Sequence, residues 1–393
     1  MKFLKNKIFI ELYIYFLLEE NKLQKIFMIL TNLFRPDVRV FKEAKYLVEN
    51  GFEVEILCWD RKNEFIDKPY EIIDGIKIKR FYPYSEPGTG LKQLKSYLKF
   101  IKACKKYIKN KTYEYLHCHD LDGMIAGYLI KSKKSKIIFD MHEYYEAKKN
   151  SVFSKHLTRF LINFLQSKSN YIIYVNSAQK KFIKKSNQNK LIFLPNYPLK
   201  KDFIGSEDKI HSDNLRISYI GVVRQFNQLK NLMEACKDFK NVIVYIHGGG
   251  VALEKLKKIQ KNYQNVFITG AYHYSKSSEL YKNTDISFIV YPMNNFQNYI
   301  AEPVKYFEAI ITKTPFIVSS KMKLSSFVSE KNIGFTIDEN NVDEIKTLLN
   351  NILKNRNLLN IKYDNLKKIQ HFYKWEEVVK NLNQIYYDQP TKI

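Results

Sequence analysis

The chain has 393 residues, 45% hydrophobic and 27% charged, with a formal net charge of +25. That length exceeds what one α/β core usually holds, about 250–300 residues, so two domains are expected. With 13 Gly and 10 Pro in the whole chain, the composition argues against long disordered linkers. The positive charge comes from lysines spread over every segment. No compact Arg-rich stretch, zinc-ligand spacing or RNA-binding aromatic motif accompanies it, which argues against nucleic acid. An anionic bilayer surface, a nucleotide or lipid phosphate, and plain compositional bias all remain open. Four cysteines (Cys58, Cys104, Cys118, Cys236) lack paired spacing. They read as free thiols of a reducing cytosol, with no metal site.

Residues 1–24 read as an N-terminal extension. Phe9 to Leu18 is apolar but interrupted by Glu11, too short to span a bilayer and without a small-residue cleavage site. An interfacial helix or a plain extension helix fits it. From Lys25 the pattern becomes regular: KIFMIL is a buried strand, residues 38–51 an amphipathic helix stopped by Gly51, and FEVEILCW the next strand. This is a βαβ unit, which implies a parallel sheet. IKIKRF (76–81) alternates like an edge strand. Then come a helix over 91–110, the strand YEYLHCHD, the helix MIAGYLIK, the strand KIIFDMHE and a long helix ending near Ser169. YIIYVNS is a strand, AQKKFIKK a helix and KLIFLPNYP a strand.

Residues 200–214 are polar and aperiodic and are assigned as the linker. The alternation then restarts with LRISYIGVV and runs through VIVYIHGGG, VFITGAY, ISFIVYP and TPFIVS as strands, with helices between them. The domains are therefore 25–205 and 206–370, and 371–393 forms a C-terminal amphipathic helix in which Trp375 reads as core. Polar clusters follow the apolar strands throughout, and ligands of parallel sheets bind beyond strand carboxyl ends.

The segment NYIAEPVKYFEAIITKTPFIVS (298–319), with Pro303, Lys305, Phe307, Glu308, Ala309 and Pro315, resembles the donor signature of retaining GT-B glycosyltransferases of family 4. RPDVRVFKEAKYLVENGFEVEIL, HCHDLDG, IIFDMHEYYE, LPNYP and YIGVVR match the same family in order, from about Lys25 onward. The resemblance implies two Rossmann-like parallel-sheet domains facing across a cleft, with 371–393 crossing back to the first. It implies that Glu308 holds the ribose and that Arg224 and Lys230 bind the diphosphate and neutralise the leaving group. Gly221, Ile300, Ala301, Glu302 and Pro303 would line the donor site, with Pro303 in the first turn of a helix. His119 would touch the transferring sugar, with His117 close by, and His142 and Glu143 would shape the acceptor side. Asp37 reads as an N-cap and Arg39 as either acceptor-facing or structural. HGGG (247–250) reads as a tight strand-to-helix turn before a phosphate cradle. The chain departs from many relatives at Ile300, where they carry a first Glu, and Lys230 lacks the Gly that often follows it.

The expectation is a cytoplasmic glycosyltransferase, on the inner face of the membrane, building surface polysaccharide or lipopolysaccharide. It would use a UDP- or GDP-linked sugar and a glycan or lipid-linked acceptor, retain configuration, and need neither metal nor cofactor. A nucleotide-sugar 2-epimerase of the same architecture and a non-catalytic sugar-nucleotide-binding scaffold are the alternatives. The epimerase would need carboxylates and His around the donor C2.

Overall fold

The computed structural model describes residues 23–35, 37–86, 93–148, 151–206, 209 and 212–387. The segment Phe9 to Leu18 lies outside them. The chain divides into two compact units. The first holds the described residues up to 146, with 151–175 and 180–192. The second holds Ala147 and Lys148, 176–179 and the described chain from Phe193 onward.

In the first unit, eight strands form one sheet in the order β3-β4-β2-β1-β5-β6-β7-β8. They are β1 (Lys25–Leu30), β2 (Glu53–Trp59), β3 (Tyr70–Ile73), β4 (Ile76–Phe81), β5 (Tyr115–His119), β6 (Lys136–Met141), β7 (Tyr171–Tyr174) and β8 (Leu191–Phe193). β4 pairs parallel to β2 and antiparallel to β3. So 76–81 is not the edge strand its alternation suggested; the edge is β3, a four-residue strand with two exposed positions. Helices α1 (Val38–Glu49), α2 (Leu94–Ile108), α3 (Asp120–Ile130) and α4 (Val152–Lys168) complete the unit. The stretch read as a helix over 178–185 forms two 3-10 segments instead, Gln179–Phe182 and Lys185–Lys190.

The side-chain period of two decides what each strand carries on each face. On β5, Leu116 and Cys118 enter a core with Phe27, Ile29, Phe100, Met124, Phe139 and Leu165. His117 and His119 therefore point to the opposite face. On β6, Ile137, Phe139 and Met141 join the same core, so Asp140 also points away from it. Asp140 pairs in register with His119. The alternation thus gathers two imidazoles and a carboxylate beneath α1.

The second unit is a six-stranded, all-parallel sheet in the order β11-β10-β9-β12-β13-β14. Its strands are β9 (Leu215–Ile220), β10 (Val242–His247), β11 (Val266–Gly270), β12 (Ile286–Ile289), β13 (Phe316–Ser319) and β14 (Gly334–Ile337). Helices α5 (Phe226–Cys236), α6 (Leu253–Gln260), α7 (Ser277–Lys282), α8 (Phe296–Ile300), α9 (Val304–Ile311), α10 (Ser325–Glu330), α11 (Val342–Lys354) and α12 (Asn357–Ile369) surround it. One core cluster includes Leu229, Leu256 and Leu349, and a second includes Tyr281, Phe307, Phe316 and Leu366, so the sheet is covered on both faces. Strand order reverses between β9 and β12, a switch point at which an open α/β sheet leaves room for ligand. The C-terminal stretch is a broken helix, Trp375–Val378, Val379–Leu382 and Asn383–Tyr386, with Trp375 buried. Two of its bonds are Trp375 N to the Pro198 carbonyl and Asn381 Nδ2 to the Phe193 carbonyl.

Candidate active site

In the first unit, Asp37 caps α1, accepting from Val40 N at 3.1 Å and from Asn32 Nδ2 at 3.0 Å. One turn places Arg39 and Glu43 on the inner side of α1. The Arg39 guanidinium meets Asp140 through Nη2 at 2.9 Å and Nε at 3.2 Å, and Glu43 Oε1 through Nε at 3.0 Å. Arg39 is thus a buried structural cation. His142 Nε2 donates to Asp140 Oδ2 at 3.0 Å, and its Nδ1 to Asp120 Oδ2 at 3.3 Å. Burial opposes charge on His142, but the two carboxylates hold its pKa well above the ordinary value, so it is an imidazolium. Burial likewise opposes ionisation of Asp140, yet Arg39 and His142 keep it well below the carboxylate range. Burial pushes Glu43 up to about 8, against the pull of Arg39.

His119 lies 3.1 Å from Asp140 Oδ2 through Nδ1 and stacks on His117 at 4.5 Å. Burial lowers its pKa, against Asp140, so it is neutral with the proton on Nδ1. Its Nε2 is left as an acceptor without a hydrogen-bond partner among the described residues. His119 is fully buried, whereas His142 is partly exposed. Asp120 sits at the β5–α3 junction with φ 62, a strained conformation for a residue with a side chain. Tyr145 Oη donates to it at 2.8 Å. Glu143 is half-buried beside His142. Ligand atoms of Glu43, His117, His119 and Asp140 lie within 4.8 Å of one another, a set that could hold a metal ion. Arg39 already supplies a cation to that cluster.

In the second unit the chain leaves β9 through Gly221, whose φ is 127. A Cβ there would come within 3.2 Å of Lys305 Cε and Nζ. Lys305 is buried on α9, its Nζ 3.6 Å above the Tyr219 ring, with no hydrogen-bond partner among the described residues. Burial pushes its pKa down to about 7; Glu308 opposes this and Arg224 adds to it. Glu308 lies three residues on, on the same face of α9. It accepts from Tyr274 Oη at 2.9 Å and from Tyr281 Oη at 3.1 Å. Burial and the Glu308 charge push both phenols up, so both remain donors. Arg224 is exposed just after β9, close enough to act electrostatically on Lys305, Tyr219 and Tyr291.

The other positions in the donor half fall in different places. Lys230 is exposed on α5, opposite the buried Leu229, Leu232 and Met233. Ile300 is buried, and its carbonyl accepts from Asn176 Nδ2 at 2.5 Å. Ala301 ends α8. Pro303 is the N-cap of α9, with φ −70 and ψ 149, one position before the first turn where it was expected. Glu302 lines a cavity of 330 Å³ together with Tyr197, Tyr306, Phe307, Lys323 and Tyr373. Burial there pushes it up to about 7, against Lys323. The glycines after β10 let two loops touch. Gly248 has φ 141, and a Cβ on it would lie 1.8 Å from the Gly221 carbonyl oxygen. Gly221 N bonds the His247 carbonyl at 3.0 Å and Val223 N the Gly249 carbonyl at 2.9 Å. HGGG is therefore a tight turn that fixes the Gly221–Arg224 loop.

The sequence assigns Lys305 no role, places Asp120 beside His119 at a strand end without a role, and leaves Tyr281 and Asp140 unmarked. The signal for Lys305 was a single cation inside the apolar run VKYFEAII, three residues before Glu308.

Two family models match the chain: "Glycosyl transferases group 1" over residues 200–369 and "Glycosyl transferase 4-like" over 30–177. No curated protein sequence matches. Solved structures match over both units. Sucrose-phosphate synthase from Thermosynechococcus elongatus is 14% identical, with 93% of this chain and 98% of that one covered at TM-score 0.74. Anabaena Alr3699/HepE, solved with UDP and glucose, is 12% identical, with 93% and 99% covered at TM-score 0.66. A glycosyltransferase from Rickettsia africae is 14% identical, with 93% and 98% covered at TM-score 0.66. Two parallel-sheet α/β units of this type make up the GT-B fold. The chain is a glycosyltransferase, with a group 1 glycosyltransferase domain over 200–369 and a 4-like domain over 30–177. No helix among the described residues is long and apolar enough to cross a membrane.

Proposed function

We propose that this glycosyltransferase takes a sugar from a UDP- or GDP-linked donor and passes it, with retention and without a metal, to a glycan or lipid-linked acceptor. Polysaccharide or lipopolysaccharide assembly at the inner face of the cytoplasmic membrane is the setting we assign to it. The observation that carries the reading is the grouping of Arg224, Lys305 and Glu308 around Gly221, beyond the carboxyl end of β9 at the switch point. A nucleotide diphosphate needs cations on its pyrophosphate and an acceptor for its ribose hydroxyls. Arg224 and Lys305 supply the cations, with Lys230 an outer one. Glu308, held by two tyrosine hydroxyls, supplies the acceptor, and the α9 amino end with Glu302, Pro303, Ala301 and Ile300 borders the site. The binding of UDP and glucose by Anabaena Alr3699/HepE supports a uridine diphosphate donor. The acceptor falls to the first unit, where Arg39, His119 and His142 meet Asp140, with Asp37 at the start of α1 and Glu143 next to His142 completing the assigned acceptor side. There the imidazolium of His142 can hold an acceptor oxygen.

A panel of UDP-, GDP-, ADP- and CDP-sugars tests this by slow donor hydrolysis. One donor is expected to turn over, and Glu308→Ala or Arg224→Ala to lower that by about 100-fold. Equal turnover in both variants removes the site. Release of a free epimer makes the chain an epimerase instead.

A further inference from the structure

Helix α4 (Val152–Lys168) is apolar on two opposite sides. It packs on its unit through Thr158, Ile162, Leu165 and Gln166, all buried. Facing away, Phe153 is 79% exposed, Leu157 58%, Phe160 71% and Phe164 38%. Their spacing of four, three and four residues sets them along one strip of the helix, at 3.6 residues per turn. A helix that buries one face normally carries polar residues on the other. Here that place is taken by three phenylalanines and a leucine.

The strip continues onto α3. Tyr128 packs edge-on against Phe164 at 5.4 Å, and the neighbouring Leu129 is 50% exposed. Cations surround it. Lys168 Nζ sits 5.6 Å over the Phe164 ring and Lys131 Nζ 5.6 Å over the Tyr128 ring. On α4, His156 and Lys168 border the strip at 100° per residue, whereas Lys155 and Arg159 fall toward the packed side; Lys133, Lys134 and Lys136 follow α3. α4 contains no acidic residue. Among the described residues, the acid paired at its edge is Glu146, which meets Arg159 at 3.1 Å.

We propose that this face of the first unit docks on an anionic lipid bilayer, with Phe153, Leu157 and Phe160 inserted among acyl chains and the lysines against headgroups. An exposed aromatic and aliphatic strip bordered by lysines is the pattern of a helix lying in the interface plane. Each lysine near an anionic surface adds attraction. A second copy of the chain fits less well: a two-fold contact sets the same patch against itself and brings like charges together. The inference deepens the reading of a membrane-side acceptor but does not need it, because vesicle binding is measured without sugar transfer.

The test is co-sedimentation of the full chain with phosphatidylcholine vesicles, with and without phosphatidylglycerol, at low and high salt. Binding is expected to require the anionic lipid and to weaken with salt. The double variant F153S/F160S is expected to lose vesicle affinity by about tenfold or more, because each exposed ring carries part of the insertion. UDP affinity is expected to stay unchanged, since both positions are solvent-facing. In Phe153→Trp, indole fluorescence is expected to shift to the blue and to be quenched by brominated acyl chains. Vesicle binding that survives F153S/F160S overturns the proposal. So does an unquenched Phe153→Trp, or a self-association or protein capture that F153S/F160S abolishes while vesicles do not bind.

Discussion

Burying an ammonium group without a hydrogen-bond partner costs several kcal/mol unless a nearby group compensates. Lys305 bears that cost: its Nζ rests on the Tyr219 ring, with Glu308 the only opposing charge acting on it among the described residues and Arg224 repelling it. A residue kept in that state points to a ligand that supplies the missing negative charge. Its pKa of about 7 in the free protein, against 10.5 ordinarily, makes the idea measurable. A bound diphosphate raises that pKa, so above pH 7 the nucleotide binds with uptake of a proton. Affinity for UDP is therefore expected to fall as pH rises from 7 to 9, by at most about tenfold per unit. The nucleotide's own last ionisation, near about pH 6, is complete in this window. Lys305→Met is expected to flatten the slope, to weaken UDP by about tenfold at pH 6.5, and to raise the melting temperature. Calorimetry in buffers of different ionisation enthalpy reads the proton uptake directly; an unchanged slope in Lys305→Met would sink the assignment. The sequence showed the motif around Lys305 but not its burial, because a lysine on a helix normally faces water. Asp140 was illegible for another reason. Its place among Arg39, His119 and His142 depends on the register of β6 on β5, which no local pattern encodes.

Between β9 and α5 the backbone is held by the turn after β10, and the two glycines there are not equivalent. A Cβ at Gly248 would overlap the Gly221 carbonyl at 1.8 Å, with φ 141 unsuited to any other residue. A Cβ at Gly249 would find its nearest neighbour, the Ala271 Cβ, at 3.4 Å, an ordinary contact. Gly248→Ala is expected to cost about 3 kcal/mol or more in denaturant unfolding. It is also expected to weaken nucleotide binding, because the displaced loop carries Gly221 and Arg224. Gly249→Ala is expected to cost less than about 1 kcal/mol. Equal effects would show that the turn does not fix the loop. At this scale most strands were readable as short apolar runs ending in polar residues, since strands covered on both faces have no alternation to obscure them. The failures have physical causes. β3 has only four residues, half of them exposed, and is defined by its antiparallel pairing with β4. Alternation in β4 looked like an edge but reflects one face open beside an interior strand. The stretch over 178–185 has helical composition, yet it tightens into 3-10 turns separated by Ile183 and Lys184.

Across the whole chain the two units store their buried charges in opposite senses. In the first, His142 is held above and Glu43 up to about 8, so both bind protons more tightly folded than unfolded. Stability from such groups is present at low pH and is lost as pH rises toward the folded pKa. In the second, Lys305 and Lys209 are pushed by burial down to about 7, from 10.5. The unfolded chain then binds more protons than the folded one between pH 7 and 10.5, so stability rises with pH in that window. Glu302 works against this, but with a pKa of about 7 its effect is largely complete by pH 8. Raising the pH from 7 to 9 is therefore expected to weaken the first unit and strengthen the second. Amide hydrogen exchange, corrected for its intrinsic pH dependence, reads each unit through its own central strands: β1 and β5 in one, β9 and β10 in the other. Opening free energies are expected to fall in the first pair and rise in the second. A saturating nucleotide, by fixing the proton on Lys305, should remove part of the rise in β9 and leave β1 and β5 unmoved. Parallel movement of all four strands would mean that the buried charges do not govern the units separately, and the electrostatic account of both sites would fall with it.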